Sequence, residues 1–454
     1  MKYISTNQRS DSVSFKEALL IGQAPDKGLY MPDKIPNFSN EELQSMKNLS
    51  YSDIAFTVAN KFLEGEIPGK ELKRIVKEAY NFDVPLEKVF ENQYIMRLDQ
   101  GPTASFKDFA ARMMARLISY YLQQEGKELV ILVATSGDTG GAIADAFYRL
   151  PNIKVVILMP KNEISERQRR QMTALGENIT AVLVNGKFDD CQAMVKQAFA
   201  DPALKNLNLS SANSINFGRL LPQTIYYFYA YSRLAKLAKA SDSGDGVIFS
   251  VPSGNFGDLM GGLISKEMGL PVKKFVVAVN ENNEFPEFLK SGRYEPIKPS
   301  RACLSNAMNV GHPSNLARLI WLYGGQMDER GVIIKMPDMN KIKDDMSSYS
   351  ITDSETKNTI KRIYEDYKTI LEPHGAVGWA ALQKYLSENP EDRERVSISL
   401  ETADPAKFPE TIIELTDIDP EMSEKMKEQS DKKEFAFEIE ADYSKFKELI
   451  KKKF

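Results

Sequence analysis

The chain has 454 residues, 42 % of them hydrophobic and 27 % charged. That is the balance of a soluble globular protein, and the length predicts two or three domains. Fifty-nine basic against 63 acidic side chains leave a net charge of −4, so binding of nucleic acid has no whole-chain electrostatic support.

The start, "MKYISTNQRS", lacks the apolar core of a signal peptide. Residues 1–82 are expected to form a separate, helical N-terminal domain, because "SYSDIAFTVANKFL" (Ser50–Leu63) and "GKELKRIVKEAY" (Gly69–Tyr80) are amphipathic segments divided by the turn "GEIPG". From 83 to 410 the texture changes. The apolar runs "ELVILVA", "KVVILMP", "ITAVLVN", "GVIFSVP" and "KKFVVAVN" alternate with helical segments such as "CQAMVKQAFA" and "LLPQTIYYFYAYSRLAKLAKA". Such alternation predicts an α/β fold of mostly parallel sheet flanked by helices. None of these runs is long enough to cross a membrane. "KASDSGDG" (Lys239–Gly246) reads as a polar loop crossing between two lobes. Residues 411–454 are charge-rich and read as a peripheral helical tail with a solvated basic end.

Two cysteines, Cys191 and Cys303, cannot build a disulfide framework, so a reducing cytoplasm is the expected setting. His312 and His374 are the only histidines, and the chain has no HExxH, no Cys/His cluster with zinc spacing and no GxSxG elbow. Proton transfer in an enzyme of this composition is expected to rest on another group, with lysine the leading candidate.

"DQGPTASFKDFAARMMARL" (Asp99–Leu117) repeats an apolar face at Phe106, Phe109, Met113 and Leu117, a helical spacing. Ser105 and Asp108 read as an N-cap and its return partner. Lys107 then occupies the first turn, where the partial positive charge of the helix N-terminus opposes a cation. On the helix alone, a surface lysine near a cap is the plainer reading. Two other stretches change the weight. "VATSGDTGGAIADAF" (Val133–Phe147) and "FSVPSGNFGDLMGGLISKEM" (Phe249–Met268) each run from buried strand through a small-residue turn into a helix. Each turn brings backbone N–H groups to a helix start, which suits a phosphate or carboxylate, although ordinary turn chemistry uses the same residues. Neither is GxGxxG or GxxxxGK[ST], so NAD and ATP are poorly supported. A lysine whose neutral amine is favoured can attack an aldehyde. Pyridoxal 5′-phosphate carries an aldehyde and a phosphate, and an amino-acid substrate adds a carboxylate.

In this order, "GPTASFKD", "TSGDTG" and "PSGNFGD" resemble the motifs of the threonine synthase family, within the tryptophan-synthase-β-like, fold type II class of pyridoxal-phosphate enzymes. "KYISTNQ", "GLYMP", "SSANSINFGRLLPQ", "LSNAMNVGHPSN", "EPHGAVG" and "ETADPAKF" add to the resemblance, which fades after about Glu410. It implies two open, mostly parallel sheets flanked by helices, with a family-type N-terminal domain. It also implies that Lys107 bonds the cofactor aldehyde and serves as catalytic base. Gly254, Asn255, Phe256 and Asp258 would hold the cofactor phosphate. Thr402 would meet the ring nitrogen and leave it largely unprotonated. Ser136, Asp138 and Thr139 would face the substrate carboxylate and the ring hydroxyl. His312 and His374 are expected to be structural. The implied reaction takes O-phospho-L-homoserine and water to L-threonine and phosphate, by γ-elimination and β-addition. A related pyridoxal-phosphate-dependent lyase or replacement enzyme with another amino-acid or phosphoamino-acid substrate or yielding 2-oxobutanoate, and a weakly active paralogue with a binding role, are the other readings. Whether the chain forms a homo-oligomer stays open.

Three positions depart from the family pattern. Gln100 stands where the family has His before Gly-Pro, Glu163 where it has a basic residue, and Asp404 where "TAHPAKF" has His. All three remove a potential cation, and two install an anion. A site for two phosphates should not readily lose positive charge.

Overall fold

A run such as Leu129–Ala134 carries apolar side chains on both faces, so it needs a sheet covered on both sides. The computed structural model of the chain, which describes residues 1–135, 137–234 and 246–454, answers this with two such sheets. Ser136 and the expected crossing loop at 239–245 lie outside the described residues. One sheet runs Ala436–Glu440, Ile179–Asn185, Ile153–Pro160, Leu129–Ala134, Leu209–Ser211, all parallel. The other runs Met346–Ser350, Val272–Val279, Val247–Pro252, Ser397–Glu401, Gln93–Arg97 in parallel, and adds Leu86–Phe90 antiparallel at its edge. Every residue of Leu129–Ala134, Val247–Pro252 and Ser397–Glu401 is buried. The expected fold class, two open and mostly parallel sheets with flanking helices, is therefore the observed one. No described helix is long and apolar enough to cross a membrane.

Two expectations about the ends change. The N-terminal segment carries helices Tyr51–Leu63 and Gly69–Ala79 as expected, but also a strand pair, Tyr3–Ser5 with Tyr30–Pro32. Nor is it separate. The Tyr51 ring meets Phe109 at 5.4 Å and Tyr229 at 5.2 Å between centroids, and the apolar residues of both segments share one core. An amphipathic helix must cover its apolar face with something, and here the following segment supplies part of that cover. The C-terminal tail is not wholly helical either. Ala436–Glu440 pairs as an edge strand with Ile179–Asn185, and helix Tyr443–Lys453 buries Phe446 and Ile450 in a core with Cys191 and Val195.

The topology decides where chemistry can sit. Val247–Pro252, Ser397–Glu401 and Gln93–Arg97 are parallel neighbours, so the loops leaving their C-terminal ends share one edge, the usual ligand position in open α/β sheets. Those loops hold residues 253–256, 402–404 and 98–106. The last two are stitched together, because the Phe106 N–H donates to the Thr402 carbonyl at 2.9 Å and Ser105 bridges Ala403.

Candidate active site

Helix Lys107–Glu125 opens at Lys107 itself, after Phe106, with no side-chain cap. The expected Ser105–Asp108 cap does not form. The chain turns at Ala104, φ 54°, and the Asp108 carboxylate accepts the Thr103 N–H at 2.8 Å and hydroxyl at 2.7 Å instead. Ser105 Oγ accepts the Lys107 N–H at 3.3 Å. Gly101 makes room for this return, since a Cβ there would lie 2.4 Å from Asp108 Oδ2. Lys107 Nζ is 3.9 Å from Asp138 Oδ2 and 4.6 Å from the centre of the Phe106 ring. Burial pushes Lys107 below the ordinary lysine range; Asp138 opposes that shift, Lys407 and Arg219 add to it, and Glu372 opposes it. The cation placed against the helix dipole is thus one whose charge burial disfavours on balance, against the pull of Asp138 and Glu372.

The first anion loop leaves Leu129–Ala134. Thr135 Oγ1 accepts the N–H of Gly137 at 3.1 Å and of Gly140 at 2.9 Å, folding the turn back on itself. Gly137 has φ 145°, a conformation that favours glycine, and helix Asp138–Phe147 follows directly. Asp138 Oδ1 pairs with Lys407 Nζ at 2.6 Å and accepts Gln168 Nε2 at 3.0 Å. Burial would raise Asp138, but Lys407 and then Lys107 hold it well below the usual carboxylate range. Thr139 follows, half-buried.

The second loop leaves Val247–Pro252. Phe256 is buried in a left-handed conformation, φ 61°, its ring edge-on to Phe285 at 4.9 Å, and helix Gly257–Glu267 follows. Gly254 lies so close to the segment Asn306–Met308 that a Cβ would meet the Ala307 carbonyl at 2.8 Å and Met308 Cα at 3.1 Å. Asn255 is exposed, and its Oδ1 accepts the Ser314 hydroxyl at 3.2 Å. Asp258 is buried. Its Oδ1 accepts the hydroxyls of Tyr226 at 2.5 Å and Tyr227 at 2.8 Å, while Oδ2 has no partner among the described residues. Burial pushes the Asp258 carboxyl up to about 6.

Thr402 closes the site beyond strand Ser397–Glu401. Its hydroxyl donates to Glu372 Oε1 at 3.2 Å. Glu372 in turn caps helix Pro373–Glu388, accepting the N–H of His374 at 2.7 Å and of Gly375 at 3.0 Å, and it pairs with His374 Nδ1. Glu401 Oε1 accepts the Glu372 N–H at 2.8 Å; burial and the facing Glu372 push Glu401 well above the carboxylate range.

The structure therefore brings Lys107, Asp138 and Thr402 to one place, with the 254–258 loop on an adjoining strand end. Sequence reasoning gave no role to Lys407, Gln168, Arg219, Tyr226, Tyr227 or Glu372. Three of these, Arg219, Glu372 and Lys407, lie inside the quoted motifs, which was the available signal. The departing residues all have local bonds. Gln100 donates to Asp99 Oδ1 at 2.8 Å, Glu163 accepts the Phe188 N–H at 3.0 Å, and Asp404 accepts the Ala406 N–H at 2.7 Å. His312 pairs with the Tyr294 hydroxyl at 2.7 Å.

The family model described as Threonine synthase N terminus matches residues 2–80, that for Pyridoxal-phosphate dependent enzyme residues 84–400, and that for Threonine synthase, C-terminal residues 375–450. The threonine synthase of Haemophilus influenzae is 38 % identical over 453 residues, with 100 % of both chains covered. The crystal structure of threonine synthase from Escherichia coli is similar at a TM-score of 0.88 and 36 % identity, over 100 % of both chains. The PLP-bound threonine synthase from Brucella melitensis has a TM-score of 0.91 and 33 % identity, covering 100 % of this chain and 99 % of that one. With the likeness running from end to end in both sequence and fold, the chain belongs to the threonine synthase family of pyridoxal-phosphate-dependent enzymes.

Proposed function

We propose that this protein is a threonine synthase, a lyase that converts O-phospho-L-homoserine and water to L-threonine and phosphate with pyridoxal 5′-phosphate as cofactor. The observation that carries the reading is a buried lysine, its ammonium form disfavoured, grouped with two strand–turn–helix anion loops. The residues fit the cofactor. Gly254 lets the loop backbone pack where a Cβ would collide with Ala307 and Met308, and Asp258 Oδ2 is a buried oxygen without a partner among the described residues. A phosphate beside Asp258 would push its carboxyl further up, and in its protonated form that carboxyl can donate to the phosphate.

When bound, the cofactor supplies the electron sink that makes protons on the substrate's α- and β-carbons removable. The chain's own residues do the rest. Lys107 would hold the cofactor through its aldehyde, and the Lys107 amine is the base that would take the substrate's α-proton and help move a β-proton. The 254–258 loop and the first N–H groups of helix Gly257–Glu267 hold the cofactor phosphate. Thr402 meets the ring nitrogen. Asp138 and Thr139 are assigned to the substrate side, as is Ser136, which lies outside the described residues. Because the Asp138 carboxylate faces Lys407 and Lys107, the N–H groups at the start of its helix are the groups suited to the substrate carboxylate. We place the activity in the cytoplasm, which keeps the free Cys191 and Cys303 reduced.

Incubation with O-phosphohomoserine should yield threonine and phosphate, identified by mass and by phosphate release. Lys107→Ala should abolish both while remaining folded. Borohydride trapping of bound cofactor on another lysine, or 2-oxobutanoate as the main product, would overturn the reading.

A further inference from the structure

Asp138 lies between two lysines that are not equivalent. Lys407 Nζ is 2.6 Å from Oδ1 and also donates to the Thr103 carbonyl at 2.9 Å, whereas Lys107 Nζ stands 3.9 Å from Oδ2, beyond hydrogen-bond reach. The Lys407 side chain is fully buried and that of Asp138 is 3 % exposed. Each charge would be costly alone in such a place, and the close pair offsets the burial of both. Lys107 then meets a carboxylate already matched by a nearer cation, together with that cation's own field.

We propose that Lys407 is a positioning residue that favours the neutral amine of Lys107, by neutralising the carboxylate closest to it and by repelling a second ammonium. The proposal rests on Lys107 being the lysine that bonds the cofactor. An amine must be neutral to attack an aldehyde and to accept a substrate proton, so the pair sets the readiness of the nucleophile. Other charged groups face Lys107 from neighbouring elements. Arg219, from the turn Phe217–Arg219, acts with Lys407; Glu372, at the start of helix Pro373–Glu388, acts against it. Asp258, on helix Gly257–Glu267, interacts favourably with the Lys107 ammonium and so also acts against it.

The test is the titration of Lys107 in the full-length chain stripped of cofactor, with far-UV circular dichroism checking the fold. Trace acetylation across a pH series, read by mass spectrometry against exposed lysines, gives the neutral fraction directly. In the parent, Lys107 should titrate below exposed lysines. Lys407→Met should move that titration upward by about one unit, roughly tenfold less labelling at a given pH on the acid side. Lys407→Arg should restore the parental curve, and Asp138→Asn should move it downward. An unchanged or lowered titration in folded Lys407→Met overturns the proposal. If that variant does not fold, an upward shift in Asp138→Asn, or a curve for Lys407→Arg like that of exposed lysines, overturns it instead. Borohydride trapping in the cofactor-loaded parent separately reports whether Lys107 is the cofactor lysine, so failure of either idea is visible without the other.

Discussion

His374 Nε2 accepts the backbone N–H of Ala307 at 3.0 Å, and this bond fixes the imidazole tautomer. A nitrogen that accepts carries no proton, so the proton sits on Nδ1 and faces Glu372. The ring thereby ties the start of helix Pro373–Glu388 to the segment Asn306–Met308 that lies against Gly254. Through Glu372 it also reaches the Thr402 hydroxyl. Two proposed cofactor contacts, Gly254 and Thr402, depend on one side chain.

His374→Ala should therefore act on stability and cofactor retention together. It strips the buried Glu372 carboxylate of one donor and leaves the Ala307 N–H without its acceptor. We expect a loss of about 3 kcal/mol in urea unfolding, with weaker cofactor binding by fluorescence titration. His374→Gln, which keeps a donor and an acceptor, should recover part of both. Parental values in His374→Ala would show that the link carries no load.

The loop proposed to hold the phosphate carries a steric expectation. Gly254→Val forces a branched side chain against Ala307 O and Met308 Cα, atoms of backbone that cannot step aside cheaply. Cofactor affinity should fall tenfold or more while the fold survives. Asn255→Ala should cost the phosphate one contact, about 1.5–3 kcal/mol for a charged acceptor. Equilibrium dialysis showing parental affinity in both variants would remove the phosphate from this loop.

Much of this was legible in the sequence, for a physical reason. Strands covered on both faces are apolar along nearly their whole length, so Leu129–Ala134, Val247–Pro252 and the stretch from Phe275 to Val279 announce themselves. Anion loops are local too, because strand, small-residue turn and helix start are adjacent in the chain. What escaped was non-local. Nothing near Lys407 says that its partner is Asp138, and a charged residue in isolation reads as solvated. The cap at Asp108 depended on a backbone turn at Ala104 that has no strong residue preference behind it. Ala436–Glu440 escaped because an edge strand needs few apolar residues, and its alternation of Phe437 and Ile439 with Glu438 and Glu440 lies among charges.

Asp258 gives a pH-dependent expectation. Its folded carboxyl titrates at about 6, above the unfolded value of 3.8. A raised acid favours the folded state only while protonated; that advantage is complete below the unfolded value and is lost as pH rises through about 6. At pH near 8 the cofactor-free chain then carries a buried carboxylate, a penalty of about 3 kcal/mol for a shift of this size. Asp258→Asn keeps the acceptor for Tyr226 and Tyr227 and has no such charge. Urea unfolding should find it more stable than the parent near pH 8 and within about 1 kcal/mol of it near pH 4. Equal stability at both pH values would mean that Asp258 is ionised at no cost.

The three departures from the family pattern should prove unequal. Gln100 and Glu163 are exposed, and Glu163 is already committed to the first turn of helix Phe188–Ala200. Asp404 is different. Its N–H donates to the Ala104 carbonyl at 3.1 Å, beside the lysine loop, and its carboxylate opens the turn that ends at Lys407. Burial pushes its carboxyl above the ordinary range, so its negative charge grows in over a higher pH interval than an exposed aspartate's. A carboxylate here repels a substrate phosphate dianion, on the order of kcal/mol at short range even at an effective dielectric of about 20. Asp404→His should therefore lower the Michaelis constant for O-phosphohomoserine by tenfold or more, the worth of about 1.4 kcal/mol, and Asp404→Asn by less. In the parent that constant should rise with pH across the ionisation of Asp404, and in Asp404→Asn this component should vanish. Gln100→His and Glu163→Lys should each change it less than about twofold, as exposed charges are screened. Steady-state kinetics on the single variants and the triple variant decide the matter. If the parent binds the substrate tightly and even the triple reversion changes nothing, all three positions lie outside the reach of the leaving group.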